Sequence, residues 1–195
     1  MSYRYGADVL FTTLEAWDRN LPGRKRIHLV ACGGTALTLL GYKESTKDVD
    51  FLVPNEDEYR HLVKFLDQVG YKQVTGIGWK REDENILFDL FCGKTVYVTE
   101  LLSSPLENKG NKKIKEWSKI YLGVLNPIDL IISKMFRGMD LDIDDCMVLL
   151  KNESVDLKKL EQRYKETAQY DVGEDKIMRN YAMLIDRIQK NERNR

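Results

Sequence analysis

The sequence predicts an α/β (α+β) fold, in which a mixed β-sheet is flanked by helices and followed by a helical C-terminal part. Helical and strand-like patterns alternate up to about residue 125. Short strand-like runs separated by turn residues fill residues 71–101, which is typical of antiparallel hairpins. From Pro127 onward, apolar residues recur only at helical spacing. We therefore predict an α/β domain over residues 1–125 and a helical subdomain over residues 126–195 that packs on it.

The predicted elements are bounded by stop and start signals. Pro22 and Gly23 end a first amphipathic helix, and Gly70 ends a charged one. In the first domain the predicted helices are 4–20, 35–40 and 56–69, and the predicted strands are 27–32, 49–53, 71–80, 86–91, 95–101 and 113–124. Asn126 is a predicted N-cap, with Pro127 as the first helical residue. The later predicted helices are 143–152, 156–168 and 174–191.

Composition indicates an ordinary globular protein. The chain has 195 residues, of which 43% are hydrophobic and 32% charged. A net charge of zero gives no overall field that would draw the chain to nucleic acid or to a membrane. The three cysteines are far apart, and two lie in apolar runs, which indicates core residues in a reducing compartment. With no long apolar stretch and no signal peptide in the sequence, we predict a cytoplasmic protein without a membrane partner.

Two glycines and two aspartates form the most informative motif. Gly33–Gly34 ends one apolar run, and Asp48–Val49–Asp50 opens the next after thirteen intervening residues. Because residues i and i+2 of a strand share a face, Asp48 and Asp50 are predicted to stand side by side. Such close carboxylates repel unless a cation lies between them, and their oxygens suit Mg²⁺ or Mn²⁺. A Gly-Gly backbone allows a phosphate to approach closely. The glycines alone could be a turn and the aspartates alone a solvent-facing strand, but the combined motif favours metal-dependent phosphoryl or nucleotidyl chemistry.

A third carboxylate, Asp89, interrupts the apolar run Ile86–Phe91. An unpaired ionised carboxylate is costly to bury, and aspartate is depleted in strands, so this residue requires an explanation. Asp89 either pairs with a nearby lysine or backbone donor, or completes a metal site with Asp48 and Asp50. The order of strand, Gly-Gly, helix, Asp-x-Asp strand and later Asp-bearing strand favours the metal site.

Three segments resemble the motifs of the nucleotidyltransferase superfamily, whose members have a DNA-polymerase-β-like palm. They are Cys32–Gly33–Gly34, Asp48–Val49–Asp50–Phe51 and Phe88–Asp89–Leu90. Residues 33–37, with Lys43 and Thr46 after them, look similar to AbiEii-type toxins and DUF6036-like minimal nucleotidyltransferases. The resemblance continues into Lys134–Arg137 and Asp142–Asp145 and spans roughly residues 25–150.

The resemblance implies a nucleotidyltransferase palm over residues 1–125, with a role for each matched residue. The residues that would hold the triphosphate of an NTP at a helix N-terminus are Gly33, Gly34 and Thr35. The residues that would bind Mg²⁺ or Mn²⁺ and form the catalytic centre are Asp48, Asp50 and Asp89. The superfamily often has serine where this chain has Gly34, so one hydroxyl contact to phosphate is missing here.

The helical part supplies the remaining candidates. The resemblance implies that Lys134 is catalytic and neutralises phosphate charge, with Arg137 as a further nucleotide-binding residue. Asp142 and Asp145 have two interpretations. They orient Lys134 or an acceptor, or they cap a helix, with Asp142 as N-cap and Asp145 at the third position.

These inferences predict an enzyme that moves an NMP from an NTP to a hydroxyl group. The acceptor is left open among RNA (including tRNA), a protein and a small molecule. The alternative is a non-catalytic nucleotide- or RNA-binding relative, acting in a toxin–antitoxin pair with an antitoxin as its partner. The presence of all three carboxylates favours the enzyme. A lysine-rich stretch around Trp117 is interpreted either as an RNA contact or as an edge strand protected by lysines, its members being Lys109, Lys112, Lys113, Lys115 and Lys119.

Overall fold

The computed structural model describes residues 3–193. The first two residues of the predicted domain 1–125 and the last two of the predicted subdomain 126–195 lie outside this range. The helices are α1 (Ala7–Asn20), α2 (Gly33–Leu39), α3 (Glu56–Gln68), α4 (Pro127–Arg137), α5 (Asp140–Asn152), α6 (Leu157–Ala168) and α7 (Glu174–Arg193). The strands are β1 (Ile27–Ala31), β2 (Val49–Val53), β3 (Tyr71–Gln73), β4 (Gly78–Arg81), β5 (Leu87–Cys92), β6 (Thr95–Val96), β7 (Thr99–Glu100), β8 (Asn111–Glu116) and β9 (Ile120–Leu125). Within the described range, no helix has the length and apolar character needed to cross a membrane.

Seven strands form one mixed sheet in the order β3-β4-β5-β2-β1-β9-β8. β2 runs parallel to β5, and β1 runs parallel to β9, whereas the other neighbouring strands are antiparallel. β6 and β7 pair separately. The mixed sheet with flanking helices confirms the predicted α/β (α+β) class. The strand order makes β2 and β5 direct neighbours and places both away from the sheet edges.

The chain divides into two compact units. The first holds the residues up to Lys94 together with Ser103–Asn126, and the second holds Thr95–Leu102 with the residues from Pro127 onward. The β6–β7 hairpin therefore belongs with the helices, although strands of the first unit precede and follow it. Compactness does not show that a unit folds independently, so a domain boundary between residues 125 and 126 stays a prediction.

An aromatic cluster joins α1 to the sheet in the first unit. Trp17 packs against Tyr71 and Phe88, with ring centroids 5.7 and 4.7 Å away. The next residue on α1, the buried Asp18, accepts a hydrogen bond from the backbone N–H of Ile120 at 2.8 Å and so holds the β8–β9 reversal. Burial by itself raises the pKa of Asp18, but the hydrogen bonds it accepts outweigh that effect and lower it.

A second aromatic cluster forms the core of the helical unit. Tyr164 packs against Phe136 and Tyr181, with ring centroids 5.2 and 4.6 Å away. Its hydroxyl donates a hydrogen bond of 2.8 Å to the carbonyl oxygen of Ile177. The buried hydroxyl is therefore satisfied, and burial raises its pKa well above the usual range.

Three runs predicted as single strands are hairpins in the structure, and one of them, 95–101, is the β6–β7 pair. Within 71–80 the chain turns after β3, and the N–H of Gly78 donates to the hydroxyl of Thr75 at 2.7 Å. Within 113–124 the chain reverses between β8 and β9, where Asp18 of α1 binds the backbone. α5 also begins at Asp140, three residues before the predicted start. The turn after β3 carries a local signal in Gly76 and Gly78 that the strand prediction overlooked. The turn between β8 and β9 has no glycine or proline and depends on the distant Asp18.

Candidate active site

Asp50 and Asp89 lie on neighbouring parallel strands. They are register partners, Asp50 on β2 and Asp89 on β5. Adjacent strands are about 4.8 Å apart, and partner residues point to the same face, so the two carboxylates stand next to each other. Asp50 is buried and Asp89 half-buried. The structure thus brings together two of the three predicted metal ligands.

Asp48 lies in the bend immediately before β2, so only Asp50 of the predicted pair has regular strand geometry. The carbonyl oxygen of Asp48 accepts hydrogen bonds from the hydroxyls of Thr46 at 2.8 Å and Thr35 at 3.2 Å. The Thr35 hydroxyl in turn accepts the N–H of Asp50 at 2.9 Å. A single buried side chain of α2 therefore fixes the backbone on both sides of Val49 and sets the positions of both carboxylates.

The segment before α1 supports the loop that carries Thr46. Tyr5 and Thr46 exchange two backbone hydrogen bonds, of 2.7 and 2.9 Å. Arg4 donates to the hydroxyl of Ser45 at 3.0 Å. The resemblance included Thr46 but assigned it no role. Its own contact to Asp48 spans two residues, but the support of this loop by Arg4 joins parts of the chain 41 residues apart and has no local signal.

Gly78 makes room for the Asp89 carboxylate. It lies opposite Asp89 on the antiparallel strand β4. A Cβ atom at this position would stand 3.1 Å from Oδ1 of Asp89 and 2.5 Å from the Thr75 hydroxyl oxygen. A side chain here would therefore push on the carboxylate. Sequence reasoning missed this residue, since one glycine in a strand has many explanations.

The two motif glycines have different structural reasons. Gly33, the first residue of α2, has a φ of 56°, in the left-handed region that glycine adopts without strain. At Gly34, a Cβ atom would stand 2.8 Å from the hydroxyl oxygen of Thr46. Thr46 thus occupies the space that a serine at position 34 would need, which gives a steric reason for this departure from the superfamily motif.

The carboxylates repel each other electrostatically. Burial, and after it the negative charge of Asp48, raises the pKa of Asp89. A divalent cation would relieve this repulsion, and the available oxygen donors are those that Mg²⁺ and Mn²⁺ prefer, so the residues fit such an ion. Between residues 3 and 193, however, no three or more histidine, cysteine or acidic side chains are already arranged to hold a metal.

Sequence comparison identifies the family. A family model described as "Nucleotidyltransferase of unknown function (DUF6036)" matches residues 9–193, nearly the whole chain. The chain belongs to this family. The predicted membership of the nucleotidyltransferase superfamily is thereby confirmed, whereas a toxin–antitoxin role is not addressed by the match.

No curated protein matches this chain significantly. Among solved structures, it is similar to the solution structure of the antibiotic-resistance factor ANT(2'')-Ia. The two chains share 16% identity, with a TM-score of 0.44, over 95% of this chain and 94% of the other.

In the helical unit, Lys134 is enclosed by carboxylates. Its side chain is 2% exposed, and its Nζ lies 2.6 Å from Oδ2 of Asp145 and 3.6 Å from Oδ1 of Asp142. Burying a lysine requires such compensation. The structure therefore brings together Lys134 and the two aspartates predicted to orient it.

Arg137 forms a second ion pair within the same cluster. It donates to both carboxylate oxygens of Asp142, at 2.9 and 2.6 Å, and its guanidinium lies 4.6 Å from the ring centroid of Tyr97. Burial alone raises the pKa of Asp142, but the hydrogen bonds and charge of Arg137, followed by the charge of Lys134, lower it overall. The pKa of Arg137 is raised, chiefly by its hydrogen bonds to Asp142. Tyr97 was not predicted from the sequence, since it comes from the distant β6–β7 hairpin.

The prediction that Asp142 is the N-cap of this helix and Asp145 its third residue was wrong. The N-cap of α5 is Met139, so Asp142 occupies the third helical position. Its carboxylate accepts the N–H of Met139 at 3.2 Å, which is a capping contact made in addition to its ion pairs. Asp145 lies one turn further into the helix, where it binds Lys134.

Three residues of the lysine-rich stretch, Lys112, Lys113 and Lys115, lie in β8, an edge strand of the sheet. Lys115 lies over the rings of Trp117 and Phe11, with Nζ 4.8 and 5.2 Å from their centroids. Lys113 pairs with Glu116. These contacts are those expected of an edge strand protected by charge, and an RNA contact at this strand stays a prediction.

Proposed function

We propose that this protein is a divalent-metal-dependent nucleotidyltransferase that moves a nucleoside monophosphate from an NTP to a hydroxyl group. The observation that carries the proposal is the register pairing of Asp50 with Asp89 on neighbouring parallel strands, in a member of a nucleotidyltransferase family. Neighbouring carboxylates disfavour the folded state unless a ligand offsets their repulsion. A divalent cation is the ligand that their charge favours.

The proposed metal ligands are Asp48, Asp50 and Asp89. A bound Mg²⁺ or Mn²⁺ would neutralise charge on the phosphates and make the acceptor hydroxyl more acidic. The surrounding residues hold these carboxylates in fixed positions. Thr35 holds the backbone of Asp50 at 2.9 Å, and Gly78 leaves space for the Asp89 carboxylate.

The proposed triphosphate contacts are the backbone N–H groups at the start of α2. N–H groups in the first turn of a helix lack intrahelical acceptors and can donate to phosphate oxygens. Gly33 and Gly34 add no side chain of their own over that backbone. Thr35 already donates its hydroxyl hydrogen to the carbonyl of Asp48. We therefore assign its contribution to the triphosphate to its backbone N–H, and its hydroxyl to positioning.

The sequence-based prediction gave both Lys134 and Arg137 a role in neutralising phosphate charge. Each is bound to a carboxylate, so a phosphate contact would exchange with Asp145 or Asp142. The Arg137 side chain is 33% exposed and that of Lys134 only 2%. Direct phosphate contact is therefore assigned to Arg137, and the orientation of its helix to Lys134.

The test is incubation of the protein with each α-³²P-labelled NTP, Mg²⁺ or Mn²⁺, and cell extract as the source of acceptors. We expect label transfer by the wild type and none by Asp50→Asn. A matched control is Asp83→Asn, which neutralises an exposed aspartate ion-paired with Arg81 and should leave transfer intact. Transfer that survives in Asp50→Asn would contradict the assignment of the catalytic centre.

The same experiment separates the enzyme from a non-catalytic relative. NTP binding by the wild type without any transfer would favour the nucleotide- or RNA-binding alternative. The nature of the labelled product, whether RNA, protein or small molecule, identifies the acceptor. A toxin–antitoxin role additionally predicts growth arrest on expression, which Asp50→Asn should abolish if arrest depends on transfer.

A further inference from the structure

Lys80 lies on the same face of the sheet as the carboxylates. Gly78 and Lys80 are i and i+2 on β4, so their side-chain directions coincide. Gly78 is paired with Asp89, and Lys80 with Leu87 two residues earlier on β5. The Cβ position of Gly78 faces both the Asp89 carboxylate and the Leu87 side chain, which fixes this face as the one that Lys80 shares.

Lys80 is half-buried, yet it makes no ion pair or hydrogen bond through its side chain to any residue between 3 and 193. Its register partner on the neighbouring strand β3 is another cation, Lys72. Like charges directly opposite each other destabilise a strand pair. Lys72 offsets this with Asp67, whose Oδ1 lies 2.7 Å from its Nζ, but Lys80 has no such contact. The arrangement leaves a positive charge available for an external anion.

The strand order separates this charge from the proposed triphosphate contacts. Across the sheet the order runs β4, β5, β2, β1. The glycines that begin α2 follow β1, whereas Lys80 lies on β4, and the carboxylates of β2 and β5 stand between them. An NTP bound at the glycines would therefore present its α-phosphate to the carboxylates from one side. The acceptor would approach from the side of Lys80.

We propose that Lys80 binds a phosphate group of the acceptor, so that the hydroxyl receiving the nucleotide belongs to a phosphate-bearing molecule. This inference rests on the proposed nucleotidyl transfer. A lone ammonium at the acceptor side attracts an anionic acceptor and repels a cationic one. The phosphate can belong to a nucleic-acid strand or to a free nucleoside monophosphate, and the test separates the two.

The test measures binding rather than turnover. A fluorescein-labelled 12-nucleotide single-stranded RNA is titrated by fluorescence anisotropy, and AMP, with a free 3′-hydroxyl, is titrated by calorimetry. The proteins are wild type, Lys80→Met, which keeps the length of the side chain, Lys80→Arg, which keeps the charge, and the control Lys64→Met, at an exposed lysine of α3. A non-hydrolysable NTP analogue with Mn²⁺ is titrated separately.

We expect Lys80→Met to weaken binding of at least one phosphate probe about tenfold, as for a hydrogen bond to a charged group. For RNA, the slope of log K against log salt should become shallower by about 0.7, the value for one phosphate contact on a single strand. Lys80→Arg should retain binding, and Lys64→Met should match the wild type. An effect on RNA alone identifies a strand, and an effect on AMP identifies a small acceptor.

Unchanged binding of both probes in Lys80→Met overturns the proposal, as does an equal loss in Lys64→Met. A loss of affinity for the NTP analogue, with the acceptor probes unaffected, also overturns it by moving Lys80 to the triphosphate. Failure of the proposed function has a different signature. In that case the wild type does not bind the NTP analogue with Mn²⁺, whatever residue stands at position 80.

Discussion

The hydroxyl oxygen of Thr35 lies 2.9 Å from the backbone nitrogen of Asp50 and accepts its hydrogen bond. The same hydroxyl donates to the carbonyl of Asp48. One fully buried threonine thus connects the helix proposed to bind phosphate with the strand that bears the carboxylates. A small displacement of α2 would therefore be transmitted directly to the proposed metal ligands.

Replacing Thr35 with valine should reduce both stability and transfer. The substitution conserves shape but leaves the buried N–H of Asp50 without its acceptor, which costs about 1–3 kcal/mol. Urea denaturation measures the stability change, and a lower kcat with a smaller change in the KM for NTP would indicate displaced carboxylates. Thr35→Ser keeps the hydroxyl and should recover most of both properties. Equal losses in the two variants would contradict a positioning role for the hydroxyl.

Replacing Asp89 with asparagine should stabilise the metal-free protein while abolishing transfer. The raised pKa of Asp89 means that its charged form is disfavoured in the folded state. Its unfavourable contribution is present at neutral pH and disappears as the pH falls through that raised pKa. Because the group is half-exposed and partly screened, we expect a gain of about 0.5 kcal/mol at pH 7. Denaturation at pH 7 without metal checks this, and a loss of stability would contradict it.

The Asp89→Asn variant should also change how much a divalent cation stabilises the folded protein. Mg²⁺ or Mn²⁺ should raise the Tm of the wild type, because a ligand that binds only the folded state stabilises it. This rise should be small or absent in Asp89→Asn. An identical Tm shift in both proteins would place the ion elsewhere.

Replacing Gly78 with alanine should lower the transfer rate. The added Cβ would stand 3.1 Å from Oδ1 of Asp89 and 2.5 Å from the Thr75 hydroxyl, so the carboxylate or the turn must move. Displacements of this size typically reduce rates by about tenfold or more. Gly76→Ala is the matched control, since a Cβ there has nothing within 4 Å. Similar rates for the two variants would show that the Asp89 position tolerates the change.

Removing Lys134 alone should destabilise the protein strongly. Lys134→Met leaves the buried Asp145 and Asp142 with less compensating charge, which costs about 3–5 kcal/mol. In the double variant Lys134→Met/Asp145→Leu, much of this loss should be recovered. Lys165→Met is the control, because its ion pair with Glu161 is exposed and contributes about 0.3–0.5 kcal/mol. A double variant less stable than the single one would contradict this account.

The ion pairs of Asp142 should make the free energy of unfolding depend on pH in the acidic range. Its pKa is lowered in the folded state, so its contribution is present above the ordinary aspartate pKa of about 3.9 and is lost as the pH falls below it. The stability difference between wild type and Asp142→Asn should therefore shrink by about half or more between pH 5 and pH 3. The exposed Asp144, ion-paired with Arg187, gives the control Asp144→Asn, with little pH-dependent difference expected. A difference for Asp142→Asn that stays constant with pH would contradict the assignment.

Much of the fold was predictable because it follows from local patterns. The helix periods, the stop at Gly70 and the start at Pro127 each depend on a few consecutive residues. The turn at Ser118 was not predictable, because it is held by the side chain of Asp18, one hundred residues away. The turn at Thr75 has a local signal in Gly76 and Gly78, which the strand prediction overlooked. The start of α5 was also misplaced, since Met139 is not a typical N-cap.

By itself, the sequence determined which residues are candidates for chemistry: the glycine pair, the three aspartates and the lysine of α4. Residue chemistry and spacing sufficed for that, because carboxylates in apolar runs require a compensating ligand. Only the tertiary structure decided that Asp50 and Asp89 are neighbours, that Thr35 and Thr46 hold Asp48, and that Lys80 shares the carboxylate face. These relationships depend on strand order and on contacts between distant segments, which no local pattern encodes.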